Sequence, residues 1–167
     1  GISSNALESI VNEYRNVRSV IKRLSHQYPA EVLEALIFHQ ELNFEDMGSE
    51  KIVQEWTGQL EKAVAESSTS GSIYEFKVVH DEAEHVYEPL VKSIIHGVSR
   101  KTILRPELFK AQEYRDMVEM GQKLTGLFEA GAYVKRGDKT YPVTTFKEAL
   151  DWLMKEAMKG IYLQRYK

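Results

Sequence analysis

Apolar residues recur at alternating steps of three and four along the first 28 positions of the chain. An α-helix returns to the same side about every 3.6 residues, so it is the element that places such a series on one face. The pattern predicts a helix over residues 5–28. Its stripe, widened by Val11 and Val20, faces either the core of its own domain or a helix of another chain, and its short length favours the core. The stripe consists of Leu7, Ile10, Tyr14, Val17, Ile21, Leu24 and Tyr28.

Two further helices are predicted before residue 67. Pro29 suits the first turn of the first, which runs to about His39 with Val32, Leu33, Leu36 and Ile37 on its apolar face. The second starts near Ser49 and ends at the serine-rich stretch 67–72, which we interpret as a loop. Its apolar side comprises Ile52, Val53, Trp56, Leu60 and Val64.

Strand pattern follows the serine-rich loop. Residues 73–79 and 85–95 are rich in β-branched and aromatic side chains, and the turn between them predicts a hairpin or two neighbouring strands. Pro89 cannot donate a backbone hydrogen bond, so it indicates an edge or a bulge in the second strand. After Gly97 the chain is basic, and we expect it to be irregular there.

The last third of the chain predicts two helices and three short strands. Pro106 opens a helix that Gly131 closes, residues 132–143 form two strands around Gly137–Asp138, and a helix over 145–160 precedes a strand at 161–164. The order of elements indicates an α+β fold, a single compact domain of about five helices with short antiparallel strands. The helix that begins at Pro106 should bury Tyr114, Met117, Val118, Gly121, Leu124 and Phe128.

Charge is unevenly distributed along this chain of net charge -3. Residues 31–88 hold fourteen acidic residues and three lysines, which gives -11, whereas 89–115 and 135–167 each carry +4. An anion-binding surface is therefore expected from the C-terminal half, although such charges can also form a plain solvated face. The candidate contacts to DNA or a protein partner are Lys135, Arg136 and Lys139 at a hairpin tip, and Gln164, Arg165 and Lys167 in the tail.

No self-contained active site is evident in the sequence. The absence of cysteine excludes disulfides, thiolate metal ligands and a cysteine nucleophile. His80 and His85 flank three carboxylates, but zinc hydrolases need histidines four apart on a helix, so a solvated turn is favoured over a metal-dependent hydrolase. No phosphate-binding loop, Asp-x-Asp pair or G-x-S-x-G motif occurs. The lack of a long apolar run predicts a cytoplasmic protein without membrane contact.

The tail sequence QRYK, residues 164–167, resembles the start of the Q-R-Y-K-G-L-G-E-M stretch of the B subunit of DNA gyrase, a type IIA topoisomerase. The resemblance covers nearly the whole chain in order, and it is weakest around residues 40–72. Other matching segments are ALESIVNEY, RLSHQYP, YEPLVKSIIHGV, EYRDMVEMGQKLTGLFEAGAYVKRGDK and FKEALDWLMKEAMKGIYLQRYK.

The resemblance implies an excised fragment of that subunit, the large insertion found within the TOPRIM domain in Gram-negative bacteria. Residues 1–160 would be the insertion domain and 161–167 the start of the resumed TOPRIM segment, cut before G-L-G-E-M. The implied parent is an A2B2 enzyme that uses ATP and Mg²⁺, yet its catalytic and cofactor-binding residues lie outside this segment. The implied partners are DNA, the rest of the B subunit, which includes the TOPRIM domain, and the gyrase A subunit.

The function expected from this resemblance is that of a non-catalytic accessory domain. It would support ATP-dependent negative supercoiling through DNA binding, positioning and communication between domains, with the acidic block facing away from DNA. Two alternatives stay open: a stand-alone interaction module that uses the 5–28 helix, and the hydrolase at His80 and His85.

Overall fold

The computed structural model describes residues 4–129, 134–136 and 139–141, with side chains described between residues 8 and 125 except at residue 10. Helices and strands are both present, which confirms the α+β class. In chain order the elements are α1 (Ser4–Leu24), α2 (Ala30–Phe38), a 3₁₀ turn (Phe44–Gly48), α3 (Glu50–Ser67), β1 (Ile73–Asp81), β2 (Val86–Ile95), β3 (Val98–Ile103), α4 (Pro106–Lys110), α5 (Gln112–Glu129), β4 (Val134–Arg136) and β5 (Lys139–Tyr141).

The first helix ends four residues earlier than its apolar pattern predicts. The Ser25 hydroxyl donates to the carbonyl of Lys22 at 2.7 Å, and the α conformation is disfavoured for Tyr28 because Pro29 follows it. Val17 and Ile21 are only 2% and 3% exposed, so this part of the stripe is already buried within the chain. That burial favours the core-facing role of α1 over recruitment of a separate protein.

The predicted apolar faces of α2 and α3 are largely correct. All four expected α2 residues are buried, and Ser49 caps α3 by accepting from the backbone N–H of Ile52. The assignment of Ile52 to the buried face was wrong, because its side chain is 42% exposed while Thr57 is buried instead. The elements packed against α3 decide which flank of the stripe is covered, and periodicity alone does not contain that information.

The three-stranded antiparallel sheet has the order β1-β2-β3. The predicted pairing of the first two strands is confirmed, with Phe76 opposite Val91. The expectation of irregular chain after Gly97 was wrong, because Val98–Ile103 forms β3 and pairs with β2. His96 and Gly97, at φ 52° and 78°, make the two-residue turn that reverses the chain.

Pro89 lies in the central strand β2, so the prediction of an edge or a bulge at this residue was wrong. The carbonyl of Pro89 accepts from the backbone N–H of Leu104, immediately beyond the end of β3. In antiparallel strands the N and the C=O of one residue point to the same neighbour. The missing N–H of Pro89 therefore faces the place where β3 has ended, and the pairing with β1 loses no hydrogen bond.

The helix predicted from Pro106 to Gly131 is two helices, α4 and α5. Ala111 has an extended conformation, with φ -70° and ψ 147°, and its N–H returns to Leu108 in a short final turn. The Arg115 side chain donates to the carbonyl of Lys110 at 3.1 Å and satisfies a group that the break leaves without a helical partner. The expected buried face of α5 is confirmed from Tyr114 to Leu124, and Phe128 lies outside the described side chains.

The chain divides into two compact units, Gly1–Arg18 with Gln122–Lys167 and Ser19–Gly121. In the second, α3 lies against β1 and β2, and the 3₁₀ turn contacts α3, α4 and β2. The large side chains that fill its core are Leu33, Leu36, Leu42, Met47, Leu60, Leu104, Tyr114, Met117 and Met120.

In the first unit, Lys123 Nζ donates to Glu13 Oε1 at 2.6 Å and joins a residue of α5 to one of α1. The two short strands predicted around Gly137–Asp138 are confirmed as the antiparallel pair β4 and β5. The predicted helix 145–160 and strand 161–164 lie outside the described residues. None of the described helices is both long and apolar enough to span a membrane.

Candidate functional site

The basic residues proposed from the sequence fall partly within the described chain. Lys135 and Arg136 are in β4 and Lys139 is in β5, and the register places Arg136 opposite Lys139. Their side chains are outside the described set, and the tail residues Gln164, Arg165 and Lys167 lie outside the described residues altogether. These six contacts remain predictions.

The two histidines considered as metal ligands border an exposed turn. Asp81 Oδ1 accepts from the backbone N–H groups of Ala83 and Glu84, at 3.0 and 3.3 Å, and this bonding forms the turn. His80 stacks on Tyr87 with ring centroids 4.4 Å apart, and His85 has a positive φ of 56°. Within residues 4–129, 134–136 and 139–141, no three His, Cys, Asp or Glu side chains are grouped so that they could hold a metal ion.

Acidic side chains of the negative segment anchor the chain around β1. Glu31 accepts from the backbone N–H of Thr69 at 3.1 Å, from the Ser70 hydroxyl, and from the Tyr74 hydroxyl at 2.9 Å. Burial opposes ionisation, but these hydrogen bonds hold the pKa of Glu31 below its ordinary value. Glu61 similarly accepts from the backbone N–H of Phe76 at 2.8 Å and covers part of the outer edge of β1. These carboxylates have structural roles.

Aromatic residues form a connected group on α3, α4, α5 and the end of α2. His39, Trp56, Phe109 and Tyr114 meet edge to face in that order, with ring centroids 5.0, 5.5 and 5.2 Å apart. His39 Nε2 donates to the carbonyl of Trp56 at 3.1 Å, and Trp56 Nε1 donates to the carbonyl of Gln40 at 2.6 Å. The polar atoms of this group bond to backbone, so the group stabilises the unit rather than presenting a reactive surface.

Two pKa shifts agree with this structural role. The Tyr114 hydroxyl accepts from the buried backbone N–H of Leu42 at 2.9 Å, and burial raises the pKa of Tyr114 to about 12. Burial lowers the pKa of His39, an effect that its bond to the Trp56 carbonyl only partly offsets. Both groups are therefore neutral at physiological pH.

Glu88 is a buried carboxylate near the start of β2, with only 2% of the residue exposed. Burial raises the pKa of Glu88. The positive charge of Arg105 lowers this pKa, whereas the negative charges of Asp81, Glu107 and Glu84 raise it further. Arg105 Nη1 lies 3.8 Å from Glu88 Oε2, which is too long for a hydrogen bond. Arg105 therefore pairs with Glu88 electrostatically, but Glu88 Oε2 accepts no hydrogen bond from it.

We define the edge hairpin as residues 89–104, which comprise most of β2, the turn, β3 and the residue that follows it. The edge hairpin contains Lys92, Arg100 and Lys101 and no acidic residue. Lys92 is directly opposite Lys101, so their side chains share one face of the sheet. Arg100 follows the alternation of a strand and lies on the other face. In the described part of the chain, none of these three cations takes part in an ion pair.

The edge hairpin also exposes apolar side chains at its tip. Ile95 and Val98 form its last cross-strand pair and are 43% and 70% exposed. The face that is buried at Val91 and Ser93 is thus open at Ile95, and every residue from 95 to 101 is exposed. The positive charge of this region is evident in the sequence, whereas the strand β3 was not predicted. The signal that was available is His96–Gly97 between two β-branched runs, a two-residue hairpin turn.

Residues 1–157 match the family model described as DNA gyrase B subunit insert domain. The match includes α1 to α5, β1 to β5 and the edge hairpin.

Proposed function

This chain belongs to the DNA gyrase B subunit insert domain family, and we propose that it is a non-catalytic accessory domain that supports DNA supercoiling by binding and positioning DNA. Family membership is the observation that carries the proposal, because the family is described as a domain of the DNA gyrase B subunit. The proposed role extends to communication between the domains of that enzyme.

The use of polar groups in Ser19–Gly121 supports a scaffold role. His39, Trp56 and Tyr114 bond to backbone groups, and Glu31 and Glu61 hold the chain around β1. Groups that bond within the fold fix the relative positions of its elements and are not available to activate a substrate. A rigid unit of this kind can transmit a position from one end to the other.

The proposed role assigns bond-breaking chemistry to other parts of the enzyme. ATP and Mg²⁺ would bind outside this chain, and its neighbours would be DNA, the TOPRIM part of the B subunit, and the gyrase A subunit. Residues 1–160 would act as the insertion and 161–167 as the junction to the parent domain. The proposed setting is the bacterial cytoplasm, where the chromosome is accessible to the enzyme.

Deletion of this segment from the intact gyrase B protein tests the proposal. We expect the deletion variant, reconstituted with the gyrase A protein, to lose DNA affinity, supercoiling activity and the stimulation of ATP hydrolysis by DNA. Hydrolysis of ATP without DNA should persist, and it serves as the control for a folded ATPase domain. Normal values for all three DNA-dependent measurements would contradict the proposal.

A further inference from the structure

The edge hairpin carries an arrangement of charge that works against folding. Lys92 and Lys101 are direct cross-strand neighbours on one face, and like charges in this arrangement destabilise a sheet. Glu75 faces Lys92 from β1, on the side away from Lys101, and forms no ion pair with it among the described contacts. Because neither Lys92 nor Lys101 forms an ion pair among the described contacts, both are available to an external anion.

The third strand presents cations on both of its faces. Arg100 and Lys101 are consecutive in β3, so their side chains point to opposite faces of the sheet. β3 is an edge strand of the described sheet, and both residues are exposed. An edge with cations on either side matches a groove whose two walls are both negative, which is the arrangement of phosphates along duplex DNA.

Backbone groups add to the same edge. The N–H of Leu104 bonds inward to Pro89, and alternate residues of an antiparallel edge strand bond inward in turn. Ser99 and Lys101 therefore direct their backbone N–H groups outward, where β3 has no neighbouring strand in the described part of the chain. Backbone N–H groups are common donors to phosphate oxygens.

We infer that the edge hairpin is a DNA-contacting element that lies along a groove of the duplex, with Arg100 and Lys101 on phosphates of the two opposite strands. Lys92 adds a further contact on the Lys101 side, and the exposed tip residues Ile95 and Val98 contact sugars or base edges. Because phosphates are common to all sequences, this binding does not depend on base sequence. The inference rests on the proposed function and assigns its DNA contact to a surface other than β4, β5 and the tail.

The experiment compares charge-matched variants in the intact gyrase B protein reconstituted with the gyrase A protein. Arg100→Gln combined with Lys101→Gln removes one cation from each face of the hairpin, and Lys51→Gln with Lys62→Gln removes two exposed cations from α3 as the control. Affinity for a labelled mixed-sequence duplex is measured over a series of salt concentrations. Each phosphate contact contributes about 0.9 to the slope of log K against log salt, so the hairpin variant should lower the slope by about 2 and weaken binding roughly tenfold at low salt.

A third variant, Val98→Ser, tests the apolar tip. It removes no charge, so it should weaken binding while leaving the salt slope at the wild-type value. Glu75→Gln should act in the opposite direction and strengthen binding, since it removes the carboxylate beside Lys92. Arg100, Lys101 and Val98 lie on the hairpin, whereas Glu75 and the control pair lie outside it. Unchanged circular dichroism melting curves would show that the fold of each variant is intact.

Three results would overturn the inference. The first is wild-type affinity and salt slope in the Arg100/Lys101 variant, and the second is an equal loss in the Lys51/Lys62 control. Retained DNA affinity with impaired assembly onto the gyrase A protein would also overturn it, because the hairpin would then be a protein-docking surface. The deletion enzyme separates the two proposals: if deletion weakens DNA binding and the hairpin variants do not, the hairpin assignment fails while the accessory role stands.

Discussion

The substitution of Gly121 by alanine tests how closely α2 and α5 approach each other. A β-carbon built on Gly121 would lie 1.7 Å from the carbonyl oxygen of Ile37 and 2.7 Å from its carbonyl carbon. Real β-carbons essentially never come within 3.0 Å of another heavy atom, so the two groups would have to separate by about 1.3 Å, the difference between 3.0 and 1.7 Å. The obstructing atoms are backbone, which cannot rotate away as a side chain can.

The expected cost follows from two opposing effects. Inserting a methyl group into a packed interior typically costs about 1–3 kcal/mol, and a rigid backbone contact places Gly121→Ala near the upper limit. Alanine in place of glycine within a helix returns about 0.5–1 kcal/mol. We therefore expect Gly121→Ala to lower the free energy of unfolding by about 2 kcal/mol.

Gly58 in α3 provides the matched control. It is an exposed helical glycine, and a β-carbon built on it meets nothing within 4 Å. Gly58→Ala should therefore raise the free energy of unfolding by about 0.5–1 kcal/mol, from the helix effect alone. Urea unfolding of the 167-residue chain followed by circular dichroism measures both variants. If Gly121→Ala were as stable as Gly58→Ala, the close approach of α2 and α5 and the reasoning from it would be refuted.

Two further predictions concern charge and pH. Lys101→Glu replaces the like-charge pair with Lys92 by an attractive pair. It should therefore raise the free energy of unfolding by about 0.2–1 kcal/mol in urea titrations, while it weakens DNA binding. Lys101→Gln removes only the repulsion, so its free energy of unfolding should fall between those of Lys101→Glu and the wild type. The pKa of His39 is lowered from 6.5 in the folded state, so its contribution to stability is present above pH 6.5 and is lost as the pH falls through the folded pKa. His39→Gln should therefore lose less stability than the wild type between about pH 7.5 and about pH 5, and equal losses would contradict this assignment.

Local patterns in the sequence were sufficient for the elements whose faces are strongly apolar. The four buried residues of α2, the start of α3 near Ser49 and the pairing of β1 with β2 all follow from local sequence pattern, and the structure has them as predicted. In each case the backbone period determines which side chains share a face, and burial of that face needs no knowledge of the partner.

The edge hairpin was only partly accessible to the same reasoning. Counting charges identified 89–115 as positive, but Ser99, Arg100 and Lys101 of β3 are polar and exposed on both faces, so the strand lacks the alternation that marks a half-buried strand. The opposition of Lys92 and Lys101 depends on strand register, which the His96–Gly97 turn sets. The charge was visible in the sequence, whereas its geometry required the paired strands.

The sequence by itself determined the α+β class, the apolar faces of α2 and α5, and the segregation of negative and positive charge along the chain, because each depends on residues close together in the chain. Tertiary structure alone decided that Ile52 is exposed, that Glu88 is buried and that Gly121 touches Ile37. Those outcomes depend on which elements meet and how closely. That choice is made by packing between residues distant in sequence, and no local period encodes it.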